Sequence, residues 1–178
     1  MRDTTFRDVL IALPERERAD VYTEHQAVWR ELGRLGVPVQ PCGAAPFLFA
    51  SDGSGLIQAR VAHPLLRAPL SRPVESGRYR CRVLAATRHG QTARSVEHAD
   101  LPGFVRALMA RHGLQAMRIA IEDVQTRHGL KAGDHAITLH TAEAVVEGRF
   151  ETPLQAHSAW ITGIGRAKRF GCGMLRVA

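Results

Sequence analysis

Short apolar runs and helical stripes alternate along this chain in a regular order. Phe6, Val9, Leu10, Ile11 and Leu13 form an apolar run closed by Pro14, the pattern of a buried strand. Pro14 and Glu15 then open a predicted helix to about residue 35. Val21, Val28, Leu32 and Leu35 fall at helical spacing along it, and Gly36 and Pro38 end it. Residues 47–50 and 56–61 are two β-rich runs around Ser51-Asp52-Gly53-Ser54-Gly55, and an Asp-Gly turn so placed signals a hairpin. Pro64, Pro69, Pro73 and Gly77 make residues 62–77 a connector.

A second series follows. Residues 79–87 read as a strand and 102–112 as a helix that starts with Pro102. Residues 117–125 and 135–147 alternate as paired strands around a turn near Gly129 and Gly133, residues 153–161 form a short helix, and 174–177 a closing strand. The predicted order is β-α-β-β, a linker, then β-α-β-β-α-β. The second half has the full split βαβ order of a ferredoxin-like fold, and the first has the same order with its last helix and strand shortened or lost. The predicted class is α+β: two tandem ferredoxin-like (RRM-type) units, the first abbreviated, over residues 1–70 and 71–178.

Charge narrows the partner. Lys and Arg number 24 against 17 Asp and Glu, giving a formal net charge of +7. Such a balance points to a polyanion, most often nucleic acid. All but two of those cations, Lys131 and Lys168, are arginine, the better fork for phosphate. The apolar runs are too short to cross a bilayer, and residues 1–5 lack the apolar core of a secretory signal, so a cytoplasmic protein without a membrane partner is expected. Cys42, Cys81 and Cys172 form no CxxC pair, and the histidines no HExxH spacing, so neither a metal nor a cofactor is expected.

Three features carry candidate chemistry. Near the end, Gly163, Gly165, Gly171 and Gly173 bracket Arg166, Lys168 and Arg169. Glycines admit positive φ and let backbone N–H groups approach a phosphate, while the cations supply charge. It is neither a dinucleotide fingerprint nor a Walker loop, since Lys168 stands where a third glycine belongs and no Gly-Lys-Ser/Thr follows. In the first helix Tyr22, His25 and Trp29 share a face. They read equally as a packing stripe and as an acid–base pair, for imidazole exchanges protons near neutral pH and a phenol remains a donor. Finally Arg78, Arg80 and Arg82 alternate on one strand face, and Arg127 and Lys131 flank the predicted hairpin tip. Both are candidate phosphate tracks or solvated edges.

The stretch Asp20-Val21-Tyr22-Thr23-Glu24-His25-Gln26-Ala27-Val28-Trp29 resembles the first helix of the CasE family, the CRISPR RNA-processing endoribonucleases of subtype I-E in the RAMP superfamily. Phe47-Leu48-Phe49 is similar to that family's next strand, and Arg80-x-Arg82 to an RxR strand. Residues 163–175, Gly-Ile-Gly-Arg-Ala-Lys-Arg-Phe-Gly-Cys-Gly-Met-Leu, resemble its C-terminal GIGxAKxxGCGLL signature. The resemblance implies His25 and Tyr22 as catalytic residues, joined by Lys168, and metal-independent acid–base cleavage of the repeat hairpin in a precursor CRISPR RNA. It also implies a 2′,3′-cyclic phosphate product, retention of the mature guide RNA, and association with other subunits of a CRISPR effector complex. RNA contacts are expected from Arg80, Arg82, Arg127, Lys131, Gly163, Gly165, Arg166, Arg169, Gly171 and Gly173. The alternative is a non-catalytic RNA-binding RAMP subunit in which Tyr22 and His25 only pack.

Overall fold

The computed structural model describes residues 6–18, 20–37, 47–51, 54–62, 68–89, 92–131 and 135–178. The chain opens with β1 (Arg7–Ala12), in which Val9 and Ile11 point into a core and Leu10 outward. Pro14 starts only a 3-10 turn over Glu15–Glu17. Helix α1 (Val21–Arg34) begins later than the pattern predicts, because Asp20 is its N-cap and accepts the Tyr22 and Thr23 amides. Strands β2 (Phe47–Ser51) and β3 (Leu56–Val61) pair as the expected hairpin, while its Asp52-Gly53 turn lies outside the described residues. The antiparallel order is β1-β3-β2, and α1 packs Val28 and Leu32 onto it.

Among the described residues, the end of this unit is a single bridge. Leu70 makes an antiparallel bridge with Arg7; Pro69 O accepts the Asp8 amide and Phe6 O accepts the Ser71 amide. A fourth strand thus survives as one bridge on the free edge of β1. Pro69 and Pro73 cannot donate to a ladder, which keeps it short.

The second half runs β4 (Ser76–Leu84), β5 (Ala86–His89), β6 (Thr92–Ser95), α2 (Leu101–Ala110), β7 (Leu114–Lys131), β8 (His135–Phe150), α3 (Pro153–Thr162) and β9 (Arg176–Val177). Its sheet order, β7-β8-β4-β9, is that of a complete ferredoxin-like unit, so the fold is α+β with two ferredoxin-like units in tandem, the first having the β1-β3-β2 part of that order. Tyr79, Cys81 and Val83 on β4, with Ala142, Ala144 and Val146 on β8, bury their face under α2 and α3. Two departures from the predicted pattern are physical. The β7–β8 hairpin extends well past residues 117–125 and 135–147, and the small β5–β6 ribbon replaces the end of the predicted strand at 87.

The units meet through Leu48, Ala50 and Met174, and through Arg60. Arg60 reaches from β3 to the carbonyls of Trp160 and Leu175, at 3.2 and 3.0 Å.

Candidate active site

Helix α1 and the glycine segment, at opposite ends of the chain, come together at His25. The His25 ring is stacked against Phe47 and Phe49 of β2, with centroids 6.3 and 6.4 Å away, and Trp29 lies edge-on at 5.8 Å. Phe170, from the glycine segment, closes the cage edge-on at 6.1 Å. The ring is only 8% exposed and its Nδ1 is buried without a hydrogen-bond partner among the described residues. Burial, and then the Arg169 charge, push its pKa down to about 4, so the imidazole is neutral at pH 7. Tyr22 sits one turn earlier, half-buried.

The glycine segment is a folded loop rather than a loose turn. Gly163, Gly165, Gly171 and Gly173 all have positive φ, as does Ala167 at 61°. Gly173 shows why: a Cβ there would lie 2.3 Å from the Ile164 carbonyl oxygen, where the loop's two limbs cross. That crossing is held by Ile164 N–H donating to Gly173 O at 2.8 Å. The loop's turn, Lys168–Phe170, delivers Phe170 to His25.

The four glycine amides are already given to protein acceptors: Gly163 to Ala159 O, Gly165 to His112 Nε2, Gly171 to Lys168 O and Gly173 to Arg82 O. The glycines therefore shape the loop, and charge is offered by Arg166, Lys168 and Arg169. Among the described residues no carboxylate lies within ion-pair distance of these three. Burial lowers the Lys168 pKa. Arg166 donates to Ala86 O at 2.8 Å. Beside them opens a cleft of about 930 Å³, walled by Phe6, Phe47, Leu48, Phe170 and the loop cations.

The strand arginines have a different setting. Arg80 pairs with Glu122 at 2.8 Å on a half-exposed surface. Arg82 is buried between Glu143, at 3.2 Å, and the Ser51 carbonyl, at 3.1 Å. Glu143 also takes Arg176 at 2.5 Å. For Arg80 and Arg82, the anions that a row of like charges needs are thus supplied by other strands of the sheet. Arg127 reaches Glu24 of α1 at 2.8 Å. The Lys131 side chain lies outside the described residues.

The aromatic walls are marked in the sequence by Trp29 and the Phe47-Leu48-Phe49 run, and Phe170 and Glu24 only by the stretches that hold them; Arg60 and His112 carry no signal of their own.

No protein-family model and no curated protein matches the chain. Solved structures do. A CRISPR endoribonuclease Cse3 bound to 19 nt RNA matches at TM-score 0.70 and 15% identity, covering 98% of each chain. The Thermus thermophilus Cse3 bound to an RNA representing a pre-cleavage complex matches at 0.67 and 16%, again over 98% of each. The CRISPR-associated protein Cas6e from Escherichia coli K-12 matches at 0.55 and 17%, over 98% of each. Over 98% of its length, this chain has the fold of the CRISPR endoribonuclease Cse3 and of the CRISPR-associated protein Cas6e.

Proposed function

We propose that this chain is a CRISPR-associated endoribonuclease that cuts precursor CRISPR RNA at the repeat hairpin without a metal. The observation that carries this reading is the contact of His25 with Phe170 of the cation-bearing glycine loop, from the far end of the chain, where Phe47 and Phe170 part the ring from an open cleft. The fold's relatives include endoribonucleases bound to RNA, which agrees with it.

The chemistry is transesterification within the RNA. The 2′-oxygen attacks the adjacent phosphorus as the bond to the 5′-oxygen breaks, leaving a 2′,3′-cyclic phosphate and a 5′-hydroxyl. The neutral His25 imidazole accepts the 2′-hydroxyl proton, and the resulting imidazolium returns a proton to the departing 5′-oxygen. Arg169 and Lys168 balance charge on the phosphorane-like transition state. Tyr22, on the same helix face, orients the nucleophile. Arg166, Lys168 and Arg169 hold the backbone around the cut, with Arg80 and Lys131 extending the track along the stem. Arg82 and Arg127, already paired, brace the two units. The units, residues 1–70 and 71–178, together form the RNA cradle. The mature guide stays bound and the protein joins other subunits of a multisubunit effector, as in the structure described as a CRISPR RNA-guided surveillance complex, matched at TM-score 0.67 and 18% identity.

One feature favours the non-catalytic alternative. An 8% exposed His25 in an aromatic cage resembles a packing residue. The readings separate on a repeat-hairpin RNA incubated in EDTA beside the same RNA carrying a 2′-deoxy substitution at the cut site. The enzyme cleaves the first and spares the second. His25→Ala should bind equally and cleave about 10²–10⁴-fold more slowly. Binding without cleavage by the wild-type chain leaves an RNA-binding subunit.

A further inference from the structure

The β7–β8 hairpin outruns its sheet. Strand β4 pairs with β8 only as far as Leu84 opposite Thr141, whereas β7 and β8 continue to Lys131 opposite His135. Beyond β4 the two strands stand as a ribbon, and a two-stranded ribbon is marginal without something to pack on. Here it packs on the first turn of α1.

Two residues make that contact. Gly129 lies in an extended strand, where glycine weakens pairing and marks a close approach. A Cβ on it would be 2.8 Å from Val21 Cγ2, 3.1 Å from the Tyr22 amide nitrogen and 3.2 Å from Asp20 Oδ1. Asp20 Oδ1 is the cap atom that accepts the Tyr22 and Thr23 amides. Two positions earlier, Arg127 Nη2 donates to Glu24 Oε2 at 2.8 Å. Glu24 is 1% exposed, so that ion pair is its means of carrying a charge in the interior. The ribbon therefore touches residues 20, 21, 22 and 24, the residues that bracket Tyr22 and lead into His25.

We propose that Arg127 and Gly129 are positioning residues, docking the end of the β7–β8 ribbon on α1 and setting the rotation of that helix and with it the placing of Tyr22 and His25. The proposal rests on the endoribonuclease reading for its kinetic consequence, but not for its structural one. Steric fit at Gly129 sets the distance between ribbon and helix. The pair at Arg127 sets the helix's rotation, since Glu24 has a single buried direction in which to point. A ribbon that carries basic side chains and also abuts the catalytic helix ties engagement of the RNA to the placing of the imidazole.

The full chain is tested as wild type, Gly129→Ala, Arg127→Gln and Arg127→Lys. Single-turnover cleavage of the hairpin RNA at saturating protein is compared with the Kd for the 2′-deoxy hairpin and with its salt dependence. Misplacement by about 1 Å costs on the order of 10²-fold in rate, so Gly129→Ala and Arg127→Gln should lose about that much, with Kd and salt slope unchanged. Arg127→Lys, which keeps the charge, should recover much of the loss. Arg127 Nη1 is buried without a partner among the described residues, which gives a rival in which it serves RNA phosphate. Weaker binding with a shallower salt slope and an unchanged saturated rate in Arg127→Gln establishes that rival and overturns the proposal. So does a rate loss that vanishes once only folded protein is counted from the unfolding curves. If the wild-type chain does not cleave, the endoribonuclease reading fails and the docking is read directly. The His25 ring titration, followed by NMR, and amide exchange at residues 22–25 should both change in Gly129→Ala. Unchanged values there overturn the proposal on their own.

Discussion

At the scale of single residues, His25 carries the sharpest consequence of the fold. Its spacing from Tyr22 is visible in the sequence and leaves packing and catalysis equally open. What decides its chemistry is the cage of Phe47, Phe49 and Phe170, assembled from β2 and the C-terminal loop, and no local pattern encodes that assembly. The cage strips water from the ring, and with Arg169 nearby the pKa falls from 6.5 to about 4. The folded state then binds this proton less readily than the unfolded chain does. Stability from this group is complete above pH 6.5 and is lost as pH falls from there towards 4. Urea unfolding midpoints of wild type and His25→Gln, measured across that window, should show a flatter pH dependence in the variant. His112, whose pKa is lowered by burial and then by Lys168 and Arg111, titrates in the same direction in both proteins and cancels in the comparison. Parallel curves would mean that the ring is hydrated in solution, contrary to the packing around it.

At the scale of elements, the hydrophobic period locates nearly every strand and helix, and its errors have physical causes. The pattern starts α1 at Glu15 because Pro14 is a good helix opener, but Asp20 captures two amides and moves the start to Val21. The β5–β6 ribbon leaves no apolar signal because its residues, such as Thr87 and Arg94, are polar and its strands are four residues each. The glycine loop is legible as a special backbone, since four closely spaced glycines would weaken any helix or strand and suit a chain that must turn repeatedly through positive φ. Its hydrogen bonding is not legible, for the acceptors of the Gly165 and Gly173 amides are His112 and Arg82, on distant elements. Asp20 links element to function, because the turn it caps holds Tyr22. Burial alone would raise the Asp20 pKa, but hydrogen bonds from the Thr23 hydroxyl and from the Thr23 and Tyr22 amides outweigh it and hold the carboxylate below its ordinary value. Asp20→Ala should cost about 1 kcal/mol of stability, while Asp20→Asn, which keeps an acceptor oxygen, should cost less. Denaturant titration of the two variants measures the difference, and equal losses would mean that the cap is not what starts α1.

At the scale of the whole molecule, the question is what makes two units one body. Each has its own sheet and its own apolar cluster, and the apolar contact between them gathers in small patches: Leu48, Ala50 and Met174, Phe170 against His25, and Gly129 against Val21. Arg60 adds what that patch lacks. It is 2% exposed, pairs with Asp8 at 2.9 Å, donates to the Ser71 hydroxyl at 2.7 Å, and lies 3.9 Å over the Trp160 ring. It also donates to the backbone carbonyls of Trp160 and Leu175, which flank the glycine loop on either side. One guanidinium thus binds β1, the vestigial fourth strand, α3 and the chain just before β9. In the sequence Arg60 is a single charge near the end of a strand, and partners 52 and 115 residues away leave no local mark. Burying it is costly, and that cost is offset only while all these acceptors are in place. Arg60→Ala should therefore lose about 3–5 kcal/mol, the usual cost of breaking a buried pair. Arg60→Lys should recover little, because an ammonium can neither span the fork of acceptors nor lie flat on Trp160. The units in Arg60→Ala should also unfold in separable steps, seen as non-coincident transitions when Trp160 fluorescence, isolated by Trp29→Phe in both proteins, is compared with far-ultraviolet dichroism. A single coincident transition of wild-type midpoint would place the coupling in the other contacts between the units, the Leu48–Met174 patch and the Arg82 and Arg127 bonds. In that case the glycine loop's position over His25 would owe nothing to Arg60.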